Sequence, residues 1–176
     1  MNANTRLLAL LSAILAVAAL RLVPHPPNFT PIGAMALFSG AYLGRRALAF
    51  VAPLAALLLS DLVLGFYHGM ATVYLSTALV AVIGMLALQR RSALRIGSAA
   101  VFGSLLFFVL TNLGMWWFSG FYPHTLTGLE ACYVAAIPFF QNSLAGDLFY
   151  TTLLFGGFAL AERMLPALQV DQRQPA

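Results

Sequence analysis

Lysine is absent from this chain of 176 residues, cysteine occurs once, and only 8% of the residues are Asp, Glu, Lys or Arg. Soluble domains carry about 25% charged residues. Set against 61% hydrophobic residues, that scarcity excludes a soluble globular protein. The lone Cys132 excludes an intramolecular disulfide, a CxxC pair and a CxxCH haem attachment. No GxxxxGK(S/T) loop occurs, so energised work requires an ion gradient or the motor of a partner. The nine basic residues are all Arg and give a formal net charge of +4. They cluster at the ends of apolar runs, as the positive-inside rule expects. No stripe of them tracks phosphates, so nucleic acid is not an expected partner.

Six spans of about 20 residues would use roughly 120 positions, leaving short loops and tails but no aqueous domain. The expected fold is all-α: a polytopic transmembrane bundle of six spans in one domain, residues 1–165, with a polar cytoplasmic tail at 166–176. The first span is Leu7 to Val23, closed by "PHPPNFTP", whose four prolines break any helix. "AVA" at Ala16 to Ala18 resembles a cleavage site, but the chain beyond it is itself membrane-embedded, so the run is read as retained. The second run, Ile32 to Gly44, has 13 residues, below the lower limit of about 17 for a span; it either crosses or re-enters. Ala47 to Phe66, Ala71 to Leu88, Ile96 to Phe118 and Phe139 to Ala161 complete the set, and Thr125 to Ala136 reads as a short helix along the surface.

With six spans, eight Arg fall on one face and only Arg21 on the other, which makes both termini cytoplasmic. Five spans give the same split, so Arg counting does not distinguish the two; six is the reading adopted. In both, the loops around Asp61 to Met70 and Ser119 to Pro138 face outward, and with six spans so does "PHPPNFTP". His25, His68, His124, Glu130, Tyr67, Tyr122 and the Trp116–Trp117 pair gather on the outer face or in outer helix ends. One-sided enrichment suits a site open to the outside, although Trp and Tyr also collect at headgroup level without binding anything.

Within that set, Asp61, Gly65 and His68 share a face at helical spacing, which would bring an acid to a base. Asp147 lies inside the sixth span, aligned with Ser143 and Thr151, while Asn142 sits on an adjacent stripe. A carboxylate at that depth faces the bundle interior or a cavity, either as a ligand or proton site or as a helix–helix hydrogen bond. Asn112 and Trp116 stand one turn apart, a polar amide beside an aromatic plate, and an Asn there is equally ordinary interhelical glue. Ala9, Ser12, Ala13 and Ala16 form a small-residue stripe suited to close packing or to docking a partner. No HxxxH or HExxH pair appears, so no metal site is expected, and no nucleophile–base arrangement points to an enzyme.

The segments "PHPPNFTPIGAMALF" (24–38), "LLLSDLVLGFYHG" (57–69), "FFVLTNLGMWW" (107–117) and "YPHTLTGLEACYVAAIPFFQNSLAGDLFYTTLLFG" (122–156) resemble a family of bacterial inner-membrane proteins usually described as candidate transport proteins. At one remove, size, span number and a polar outer mouth are similar to the substrate-binding S components of energy-coupling-factor vitamin transporters. Those proteins capture a vitamin or metal from outside and dock a shared ATPase module through small residues of the first helix. That likeness is at the level of architecture alone.

The resulting expectation is a bacterial inner-membrane uptake protein, or the substrate-binding subunit of one, with no bound cofactor. Its small solute, vitamin-like or metal-related, would enter a pocket lined by His25, Asn28, Asp61, His68, Asn112, Trp116, Tyr122, Gln141, Asn142 and Asp147. Its partners would be the solute, the bilayer and a separate ATPase or transmembrane energising module docking on Ala9, Ser12, Ala13 and Ala16. Two alternatives stand beside it. One is a membrane enzyme or redox protein acting on a lipid-soluble substrate, with His pairs able to hold haem; the other is a non-catalytic assembly factor.

Overall fold

The computed structural model describes residues 3–44 and 47–169; Arg45, Arg46 and 170–176, which include Arg173 and most of the polar tail, lie outside the described residues. Among the described residues the chain is all helical. Its elements are α1 (Ala3–Ala19), α2 (Ile32–Leu43), α3 (Leu48–Leu64), α4 (Met70–Ala87), α5 (Ala93–Phe118), α6 (Leu126–Thr151) and α7 (Gly157–Met164). A 3₁₀ turn, Leu20–Leu22, extends α1, and a π turn, Thr152–Gly156, joins α6 to α7. Four helices are long and apolar enough to cross a membrane: Asn4–Leu22, Met70–Ala87, Ala93–Phe118 and Leu126–Met164. Leucines such as Leu8, Leu59, Leu62 and Leu86 lie exposed around the outside of the bundle, as a hydrocarbon solvent permits and water does not.

The shortest of the transverse helices occupies the centre. α2 has 12 residues, about 18 Å at 1.5 Å per residue, against a hydrocarbon core of about 30 Å. It touches α1, α3, α4, α5 and α6. Ala34, Met35, Ala36, Leu37, Phe38 and Ser39 are at most 1% exposed. A helix with no lipid-facing stripe has no need to match the bilayer by itself.

Its direction follows from the side chains at its two ends. Arg6, at the start of α1, bonds Glu162 of α7 at 2.6 Å and lies 5.7 Å from the ring centre of Tyr42 at the end of α2. Arg91, just before α5, lies 4.4 Å over the same ring and donates to the Ala41 carbonyl at 3.1 Å. At the opposite end Arg21 meets Asp61 of α3. α2 therefore runs from the Asp61 end of the bundle to the Arg6 end, antiparallel to α1.

Two sequence expectations change. Thr125 to Ala136 is not a separate surface helix; it is the first part of α6, capped by the Thr125 hydroxyl on Gly128 N–H at 3.1 Å and packed on α5 through the Tyr133 hydroxyl on the Val109 carbonyl at 2.7 Å. Pro138 sits inside that helix. Nor does the tail begin at residue 166 as free chain. Pro166–Leu168 forms a 3₁₀ turn, Leu168 is buried, and its carbonyl accepts from Arg6 Nε at 2.9 Å.

Glycine sets how closely α2 and α4 approach. A Cβ at Gly40 would fall on the Ala81 carbonyl, and one at Gly84 on the Leu37 carbonyl, so each backbone rests directly on the other. Close backbone approach through small residues is the dominant packing device where no hydrophobic effect drives helices together. Gly84→Leu is expected to abolish the folded, monodisperse protein in detergent, read by size exclusion and thermal unfolding. Gly97→Ala, where a Cβ meets nothing within 4 Å, is expected to leave the unfolding midpoint unchanged or slightly raised.

Candidate functional site

The segment between α1 and α2, residues 23–31, is not helical. Within "PHPPNFTP" the four prolines carry no backbone N–H, which reduces the donors that must find partners away from water. Phe29 N–H reaches the Pro26 carbonyl at 3.0 Å and Thr30 N–H the Asn28 carbonyl at 3.0 Å. α6 holds the segment in place: Asn142 Nδ2 donates to the Pro27 carbonyl at 3.0 Å, and Phe29 packs on Phe149 and Tyr150 at 5.8 and 5.6 Å. Gly146 leaves room for the crossing, since a Cβ there would press on the Phe29 and Thr30 backbone.

Beside this segment lies a cavity of about 590 Å³, within the roughly 300–1,000 Å³ typical of ligand sites. Its walls come from residues 21–32, Tyr67, Val73, α5 from Phe107 to Met115, Phe121, Tyr122 and α6 from Cys132 to Ser143. They are mainly aromatic and aliphatic. Phe108 and Phe140 meet at 4.7 Å. A void of about 20 Å³ continues past Asn28, Thr30, Ile32, Phe107 and Ser143 to Gly33 and Asp147, room for about one water molecule.

Of the ten residues expected to line one pocket, Asn28, Asn112 and Tyr122 line this cavity. The other seven do not, each for a visible reason. His25 is partly buried and its Nδ1 is paired with the Pro26 carbonyl at 2.9 Å. Trp116 donates to the Pro123 carbonyl at 2.9 Å. Its neighbour Trp117 stacks on His124 with centroids 5.3 Å apart, so the Trp pair clamps the 119–125 loop. Gln141 is exposed, and Asn142 is committed to Pro27. Asp61 and His68 never share a helix face: α3 stops at Leu64 because Gly65 turns to φ +93°, which leaves His68 exposed in the loop.

Asp61 has a different partner. It is 0% exposed and receives Arg21 Nη1 at 2.9 Å and the Tyr74 hydroxyl at 3.0 Å. Arg21 Nη1 also reaches the Ser60 hydroxyl and, at 3.4 Å, the Leu57 carbonyl. Arg21 is itself 8% exposed and lines the cavity. In the sequence it stands out as a topology marker, the one Arg of the nine on the polar-rich face. Tyr67, in the loop after α3, also lines the cavity. Burial first, and then the Asp61 charge, hold its phenol above the ordinary value, so it stays a neutral hydroxyl.

Asp147 is buried behind the main cavity. Ser104 of α5 donates to its Oδ2 at 2.5 Å, and the carboxylate faces the Gly33 and Ala34 backbone N–H groups. Those are donors of the first turn of α2, which has no cap from its own sequence. A Cβ at Gly33 would overlap the carboxylate. The arrangement is an N-terminal cap supplied from another helix, its acceptor oxygens placed at the positive end of the α2 dipole. The small-residue stripe of α1 is divided: Ala9 and Ala13 pack half-buried on the core, while Ser12 and Ala16 are exposed. Cys132 is buried with its thiol toward the Asn112 carbonyl at 3.5 Å. Among the described residues no three His, Cys, Asp or Glu side chains gather as a metal-ligand set.

Fold and site together define the class: an all-helical membrane bundle with a mainly apolar cavity at the end opposite the Arg6–Glu162 pair. The chain belongs to DUF6580, a family of unknown function whose profile matches residues 1–168. No curated protein and no solved structure matches it.

Removing one member of the buried ion pair strands the other. Asp61→Ala is expected to cost about 3–5 kcal/mol, and Tyr74→Phe, which deletes one hydrogen bond to the same carboxylate, about 1.5–3 kcal/mol. Both are read as lowered unfolding midpoints in detergent. Asp147→Ala is expected to destabilise by about 1–3 kcal/mol through the uncapped Gly33 and Ala34 donors.

Proposed function

We propose that the protein binds a small organic solute in the 590 Å³ cavity and takes part in its uptake across the bacterial inner membrane. The observation that carries this reading is the cavity itself. It lies among the cavity-end loops, its walls are mainly apolar, and its few polar groups include a buried Arg, which is the composition of a ligand site. A bundle filled only for structural reasons gains nothing from such a void, since each unfilled volume forfeits contacts.

Arg6, Arg91, Arg95 and Arg163 mark the other end of the bundle. By the positive-inside rule that end faces the cytoplasm, with both termini, and the cavity faces outward. Transport then requires alternating exposure of the cavity. The chain has no nucleotide-binding loop, so the energy comes from an ion gradient or from a separate ATPase module. Cys132 and Ala136 both line the cavity, and they make the reading testable. In a Cys132→Ala background, Ala136→Cys is expected to react with a membrane-impermeant thiol reagent added outside intact cells and not with the same reagent added to inverted vesicles, whose cytoplasmic face is outermost. Labelling from the inside alone, or from neither side, would overturn the outward-facing cavity.

A further inference from the structure

Taking the cavity as the binding site, as proposed above, its ligand chemistry is decided by what its polar groups still have to offer. Some are already spent, whereas the Asn28, Thr30, Tyr67 and Tyr122 side chains make no hydrogen bond among the described residues and remain as neutral partners. The Thr111 and Ser143 hydroxyls donate to the Phe107 and Phe139 carbonyls of their own helices at 2.8 and 3.1 Å. Asn112 Nδ2 does the same with Phe108 at 2.8 Å.

Arg21 differs. Its three hydrogen bonds to α3 all leave from Nη1. Nε is buried with no partner, and Nη2 donates to none of the described residues. Nε and Nη2 lie along one edge of the planar guanidinium, an edge that accepts a carboxylate through two parallel bonds. Arg21 is 8% exposed and lines the cavity; Nε has no exposed surface of its own, so an acceptor that approaches from the cavity meets this edge only as the wall around the guanidinium gives way. A buried donor without a partner is costly, and an acceptor placed there removes the cost while gaining a charge-assisted bond.

The acids nearby do not occupy the position. Asp61 uses Oδ1 on Arg21 Nη1 and Oδ2 on Tyr74. Asp147 is held by Ser104 and directed at the first turn of α2. Away from Arg21 the walls are rings, among them Phe107, Phe108, Phe139 and Phe140, surfaces that favour offset or edge-on contact with another flat ring.

We infer that the ligand is an organic acid, a flat apolar ring system carrying one carboxylate. The carboxylate sits on the Nε–Nη2 edge of Arg21 and the ring lies against the phenylalanine wall. The test is a titration of the purified full chain with 2-naphthoate and indole-3-acetate, their matched primary amides and amines, and decanoate, read by thermal stabilisation and equilibrium binding. The acids are expected to bind at least tenfold more tightly than their amides, the amines more weakly still, and decanoate more weakly than either ring acid. Arg21→Lys keeps a cation for Asp61 but removes the two-donor edge. It is expected to lose at least tenfold in affinity for the acids and little for the amides. The comparison among ligands is made on the unaltered chain, so it holds whether or not the variant folds. Equal affinity for acid and amide, a preference for amines, or decanoate bound as well as the ring acids would overturn the inference and leave the cavity a binding site. Binding of no member, whatever its charge, would overturn this inference and the solute-binding reading together.

Discussion

A helix of twelve residues cannot by itself carry a chain across hydrocarbon, and much of this structure follows from having one at its centre. At about 18 Å, α2 is about 12 Å shorter than a hydrocarbon core, and the segment that precedes it is not helical. Unpaired backbone is tolerated at membrane depth only inside protein or beside a cavity. Both conditions are met: the surrounding helices enclose α2, and residues 28–32 border the cavity.

Enclosure has its own requirements. The backbones of α2 and α4 rest on each other only because Gly40 and Gly84 lack a Cβ. The first turn of α2 receives its cap from Asp147, and Gly33 makes the space for that carboxylate. Asp147 therefore ties α2, α5 and α6 at one point, a structural role for a residue whose depth also suited a ligand or proton site. Phe38 packs edge-on against Phe155 and Phe158, with the π turn falling between α6 and α7 where this cluster meets α2.

The ion pair of Arg21 and Asp61 joins fold to site. Desolvating two charges is expensive, and the pair persists because Ser60, Tyr74 and the Leu57 carbonyl share the remaining hydrogen bonds. That network consumes one nitrogen of the guanidinium and fixes the plane of the others. Arg21 is thus braced on the side of α3, and its unused edge is held by the same contacts that stabilise the bundle. The aromatic clamp of Trp117 and His124, and the grip of Asn142 on Pro27, serve the cavity indirectly by fixing the loops around it.

The pattern of apolar runs and prolines was enough to determine an all-helical membrane bundle, and it located each helix to within a few residues except at α6. Hydropathy is a local property averaged over many side chains, so it survives without knowledge of the fold. The site was only partly legible. Asn28, Asn112 and Tyr122 line the cavity, whereas Asp61 and His68 were separated by Gly65, whose positive φ ended the helix before their shared face could form. Arg21 went unrecognised as a site residue because its role depends on a carboxylate forty positions away in sequence. Which polar groups remain free is decided only after every helix has taken its hydrogen bonds from its neighbours, and that allocation belongs to the tertiary structure alone.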